Sequence, residues 1–128
     1  MRVLFLGDIV GNPGRYAIEQ NLKDQIVKND IAFVIANGEN AAFEGVGITK
    51  SISEKLFNSG VDVITTGNHV WDQKETADYI NTEKRLLRPL NLIKPSPGNG
   101  FEVYKSQNGF KVGVLNLMGN VFMKKCDD

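Results

Sequence analysis

One cysteine, Cys126, is too few for an intrachain disulfide, so this sequence fits a reducing compartment. Net charge is also missing. Fifteen basic residues cancel fifteen acidic ones, which leaves no strong nucleic-acid signal and no footprint for an anionic membrane. The first apolar run stops at Gly7-Asp8, too early for a signal-peptide core, and no run approaches transmembrane length, so no membrane partner is expected and a cytoplasmic protein is the default. Neither GxGxxG nor GxxxxGK[ST] occurs, so Gly11 and Gly14 are assigned to turn geometry and not to a phosphate cradle. Histidine is down to one residue, His69.

What is present has the size and composition of one globular domain, with 128 residues and 41% hydrophobic content. Three apolar runs suit buried parallel strands: Val3-Leu4-Phe5-Leu6, Ile31 through Ala36, and the run from Val61 to Thr66. Between the first two, Tyr16, Ile18, Leu22 and Ile26 fall near helical spacing and predict a helix over 14–28 with these four as its buried stripe. Residues 9–14 read as a loop because of their Gly and Pro content. A second helix follows Thr49 as N-cap, buries Ile52, Leu56 and Phe57, and stops at Ser59-Gly60. Residues 73–82 read as a short helix or turn, and 82–97 as irregular because of Pro89, Pro95 and Pro97. Two late strands, 100–105 and 110–117, flank Gln107-Asn108-Gly109, a hairpin signal, with the alternating 100–105 run expected at the edge of the sheet. The fold class is therefore α/β: one domain over 1–128, a mostly parallel sheet flanked by helices, with a C-terminal β-hairpin.

Each of the three parallel runs ends in polar donors. Asp8 follows the first, Glu39 and Asn40 the second, Asn68 and His69 the third. Open α/β sheets bind ligands at the carboxyl edge of their strands, so these ends are the candidate site. Taken singly each is weak: an Asp after a strand often caps a turn, an exposed Glu is ordinary, and a lone His is more often structural. Together, Asp8, Glu39, Asn40 and Asn68 form an oxygen-rich set suited to Mg, Mn or Fe, with His69 placed to protonate a leaving oxygen.

The segments GD at 7–8, NGEN at 37–40 and TGNHVWD at 66–72 resemble the metal-site motifs of calcineurin-like metallophosphoesterases. With GDIVG, NGENAA and NLMG at 116–119, the pattern is closest to the YmdB-like bacterial branch, which resembles 2′,3′-cyclic-nucleotide phosphodiesterases. The wider superfamily has Asp-x-His at its first strand, whereas Asp8 is followed here by Ile9-Val10. The resemblance implies the N-terminal half of an αββα sandwich and a hydrolase with a dinuclear metal site. It makes Asp8, Glu39, Asn40 and Asn68 the metal ligands, with Glu39 bridging, and His69 the catalytic acid. It implies two divalent ions (Fe, Mn or Mg) in a complete enzyme, further histidine ligands from a second half of such a chain, and a small phosphoester substrate of the 2′,3′-cyclic-nucleotide kind. On this reading the 128 residues alone bind at most one metal loosely and hydrolyse little, and an uncovered sheet favours a homo-oligomer. The competing reading, from a different class, is a non-catalytic α/β binding or assembly module that retains the metal motif.

Overall fold

In a computed structural model that describes residues 1–93, 96–123 and 125–127, the three apolar runs form parallel neighbours. Strand β1 (Val3–Asp8), helix α1 (Gly11–Asn29), strand β2 (Phe33–Asn37), helix α2 (Lys50–Asn58) and strand β3 (Val63–Thr65) follow in order, then a short helix α3 (Thr76–Tyr79) and strand β4 (Leu86–Leu87). The sheet order is β1-β2-β3-β4, all parallel. Strands β5 (Phe101–Lys105) and β6 (Lys111–Leu115) make a separate antiparallel pair.

Side chains alternate across the pleat, and the two faces of the sheet build two cores. Val34, Ala36, Ile64 and Leu86 pack with Ile18 and Leu22 of α1 and Ile52 and Leu56 of α2. On the other face Phe33, Val63 and Leu87 meet Val114, with Tyr104 and Val112 closing over them. The layers are therefore helices, parallel sheet, hairpin. Asn108-Gly109 turns the hairpin as expected, with Gly109 at φ 86°. The alternating 100–105 run is not an edge of the parallel sheet. Its half-buried Glu102 and Tyr104 face inward and its outward residues are exposed, because the hairpin lies across the sheet as a second layer.

Three further expectations are corrected. Helix α1 begins at Gly11, not near residue 14: Pro13 falls in the first turn, where no intrahelical donor is needed. Tyr16 is 65% exposed, and the place it was expected to fill belongs to Arg15. Strand β4 lies inside the segment read as irregular. It is two residues long and exists through pairing with β3, a tertiary contact with no local signature. Just ahead of β4, the Arg85 guanidinium hydrogen-bonds both oxygens of Glu83 and holds that carboxyl below its usual range. Among the expected proline breaks, Pro95 lies outside the described residues. The N-cap of α2 is as read, with the Thr49 side chain accepting from the Ile52 amide at 3.2 Å.

Asn116 joins the two sheets. It is buried, and its Nδ2 donates to the carbonyls of Thr66 (2.8 Å) and Leu87 (3.2 Å), while its own amide donates to the Gly100 carbonyl. Replacement by Ala would take from the buried Thr66 carbonyl its side-chain donor, while the Leu87 carbonyl keeps the Thr66 amide and hydroxyl. Asn116→Ala should therefore lower the unfolding free energy by about 1–3 kcal/mol in a denaturant titration, whereas Val27→Ala, at a position 83% exposed, should change it little.

Candidate metal and acid–base site

Asp8, Glu39-Asn40 and Asn68-His69 leave the carboxyl ends of three adjacent parallel strands, β1, β2 and β3. The register between β1 and β2 shifts between Leu6 and Asp8, so that Asp8 pairs with Asn37. Such an irregularity re-aims a side chain at a strand end. Backbone bonds then lock the first two loops together: the Ile9 amide donates to the Asn37 carbonyl at 3.0 Å and the Gly11 amide to the Asn40 carbonyl at 2.9 Å. Within the second loop, the Asn37 side-chain oxygen accepts from the Glu39 amide at 2.9 Å, an Asx turn that sets the direction of Glu39. The Asn40 Nδ2 donates to Asp8 Oδ2 at 2.8 Å. One oxygen of Asp8 is thereby engaged.

Two glycines let the second and third loops close on each other. A Cβ on Gly38 would meet Ile64 Cγ2 at 2.7 Å and Ile48 Cδ1 at 2.9 Å, so Gly38 lies flat on β3, and its amide donates to the Thr65 carbonyl at 2.8 Å. A Cβ on Gly67 would fall on the Glu39 carboxylate itself. The carboxylate thus rests against bare backbone. From there Glu39 Oε1 lies 3.4 Å from the His69 amide, long for a hydrogen bond but oriented as one.

His69 is half-exposed, and its Nδ1 lies 2.6 Å from Asp72 Oδ2. An ionised carboxylate only accepts, so Nδ1 carries the proton and Nε2 faces away from Asp72. Further out, Arg15 donates to the Ala41 carbonyl and to Asn12 Oδ1, with its guanidinium 4.8 Å from the Phe43 ring centre. The NGENAA loop is thus tied to α1 by a buried cation.

The structure brings Asp8 to Asn40 and Glu39 to His69. Asn68 faces a neighbouring cavity that it shares with Trp71 and Asp72. Among the described residues, no three His, Cys, Asp or Glu side chains converge as a metal cluster. The candidate donors are two carboxylates and two amides, a hard-oxygen set that fits a loosely held cation of the magnesium or manganese type. Sequence reasoning gave Asp72, Gly67, Arg15 and Asn116 no role. Only Asp72 had a usable signal, its spacing of three residues from His69 within one loop.

A family model described as "YmdB-like protein" matches residues 4–128. A 2′,3′-cyclic-nucleotide 2′-phosphodiesterase of Bacillus subtilis (strain 168) is 44% identical over 128 residues, which is 100% of this chain and 48% of that one. Among solved structures, a hypothetical protein from Thermus thermophilus superposes with a TM-score of 0.90 at 38% identity, over 100% of this chain and 49% of that one. A Mycoplasma pneumoniae protein described as a novel phosphatase gives 0.88 at 34% identity, over 98% and 46%. The chain thus spans about half the length of these relatives.

Because His69 is the only histidine, its ring nitrogens can be read singly by NMR. With the imidazole neutral, the wild-type spectrum should show one dominant tautomer protonated at Nδ1. Asp72→Ala should convert it to a mixture or to the Nε2 form, and an unchanged spectrum would mean that the 2.6 Å contact does not set the tautomer.

Proposed function

The chain belongs to the YmdB-like protein family, whose model spans residues 4–128, and on that premise we propose that it supplies the cation-binding and proton-donating residues of a divalent-metal-dependent phosphodiesterase acting on small phosphoesters of the 2′,3′-cyclic-nucleotide kind. The observation that carries this reading is the joining of three strand ends. Asn40 holds Asp8 and Glu39 reaches the His69 amide, so both carboxylates and the imidazole belong to one connected set of loops. The name of the Bacillus subtilis relative supports the substrate class.

Asp8 and Glu39 would hold the cation, with Asn40 and Asn68 adding neutral oxygens. A bound divalent ion supplies positive charge that polarises a phosphoryl group and activates water for in-line attack. The Asx turn at Asn37 and the flat packing of Gly38 and Gly67 fix where Glu39 points, so its oxygens need little reorganisation to bind. His69 would protonate the departing oxygen through Nε2, while the Asp72 carboxylate on Nδ1 orients the ring. The donors are all oxygens, and magnesium in particular retains several of its own waters at such sites. Cation binding by these 128 residues alone is accordingly loose, and their unaided turnover low.

A second reading, a binding module without catalysis, is favoured by the lack of a third His, Cys, Asp or Glu beside Asp8 and Glu39 among the described residues. Metal titration separates the two when paired with assay of phosphodiester and phosphomonoester substrates. Asp8→Ala and Glu39→Ala should each weaken Mn binding by more than the roughly 10–100-fold typical of a supporting residue. His69→Gln should leave binding intact and, wherever turnover is measurable, lower it about 10²–10⁴-fold. Equal metal loss in all three variants would make His69 a ligand and not the acid. Unaltered metal binding in Asp8→Ala and Glu39→Ala would remove the proposed site.

A further inference from the structure

Beside the donor set lies a cavity that none of the chemistry above uses. Its volume is about 230 Å³, and its wall is formed by Asn68, Trp71, Asp72, Leu92, Ile93 and Met118. Ser96 and Lys125 complete the lining. A groove of about 510 Å³ between β1 and α1 is larger, but the residues walling it are chiefly aliphatic, with no carboxylate among them. The smaller cavity differs in having an aromatic side chain in its wall and in sharing two residues with the candidate site.

Those shared residues set the geometry. Asn68 is a candidate cation ligand, and Asp72 holds His69, so the cavity adjoins the donor set through these two residues. Its wall is preformed. Trp71 and Leu92 each pack partly against the main core, which holds the indole in place. Met118 is pinned through its backbone: its amide donates to Asn91 Oδ1 at 3.0 Å, and its carbonyl accepts from Asn91 Nδ2 at 2.7 Å. Its flexible thioether can then adapt to a flat ligand. Ile93, 56% exposed, forms part of the apolar lining. The volume is below the roughly 300–1,000 Å³ of sites for drug-sized ligands and suits a single ring system. An aromatic face, aliphatic neighbours and a few hydrogen-bonding groups are the chemistry of base recognition by stacking.

We infer that this cavity is the subsite for the heterocyclic base of a nucleotide phosphoester, stacked on Trp71. The inference rests on the function proposed above, and its test needs neither metal nor turnover. Trp71 is the only tryptophan, so the emission comes from one indole, which lines this cavity. Adenosine 3′-monophosphate, adenosine, ribose 5-phosphate and inorganic phosphate are titrated in turn into the 128-residue chain. Both base-bearing probes should change the emission saturably, and the two base-free probes should not. By calorimetry, Trp71→Leu should weaken nucleotide binding roughly five- to hundredfold, the weight of one stacked base. Trp71 also contributes to the core, so Ile93→Glu at an exposed position is the second variant. It should weaken nucleotide binding while the thermal melt is unchanged. A response as large to ribose 5-phosphate as to adenosine, an emission change that never saturates, or nucleotide affinity indifferent to Ile93→Glu would each overturn the subsite. Base binding without metal binding would leave the subsite standing and remove the phosphodiesterase reading. Metal-dependent hydrolysis without base binding would do the reverse.

Discussion

The Glu39 carboxylate takes up the space that a side chain on Gly67 would need, and the arrangement of the candidate site follows from that one steric allowance. Any Cβ at position 67 would push the carboxylate away from the His69 amide and part the loops that follow β2 and β3. Gly38 makes the matching concession from the other side by lying against Ile64 and Ile48. A parallel sheet already delivers strand ends to one edge. The two glycines turn that shared edge into direct contact.

Around this contact the polar groups are tied down rather than left to solvent. Asn37 sets the direction of Glu39, Asn40 holds Asp8, and Arg15 anchors the loop from beneath. Asn116 then fastens the Thr66 carbonyl, immediately before Gly67, to the hairpin layer. Apart from Asp8 the candidate side chains sit on loops, and these hydrogen bonds limit how much reorganisation a charged ligand would demand. The hairpin therefore contributes to the site without lining its carboxylates. Elsewhere the same fold leaves apolar surface open, including Phe5 on the edge strand β1 and Phe101, Val103 and Leu115 on the outward face of the hairpin.

The parts of this structure legible in the sequence are those whose chemistry is local. The apolar runs ending in Gly-Asp, Asn-Gly-Glu-Asn and Thr-Gly-Asn-His gave the strands and the candidate residues together. Thr49 as a cap and Asn108-Gly109 as a turn needed nothing from the rest of the chain. What escaped depends on partners distant in sequence. Strand β4 has two residues and exists because β3 lies beside it. The hairpin forms its own layer because Val112, Val114 and Tyr104 cover Phe33 and Val63, a choice that alternation alone does not make. Arg15 displaced Tyr16 from the buried face of α1 because the Ala41 carbonyl of the neighbouring loop and the Asn12 side-chain oxygen of the helix's own first turn were there to receive its charge. Asp72 was the partial exception: its spacing from His69 was a usable signal, and the loop geometry then brings its Oδ2 to Nδ1.

The claim that Asp8 and Glu39 share one cation site at the carboxyl edge of the sheet can be tested by locating the ion. Crystals of the chain soaked in manganese should give an anomalous scattering peak within coordinating distance of both carboxylates, with Asn40 or Asn68 oxygen beside it. A peak held by other residues, or none at a concentration that saturates binding in solution, would contradict the account.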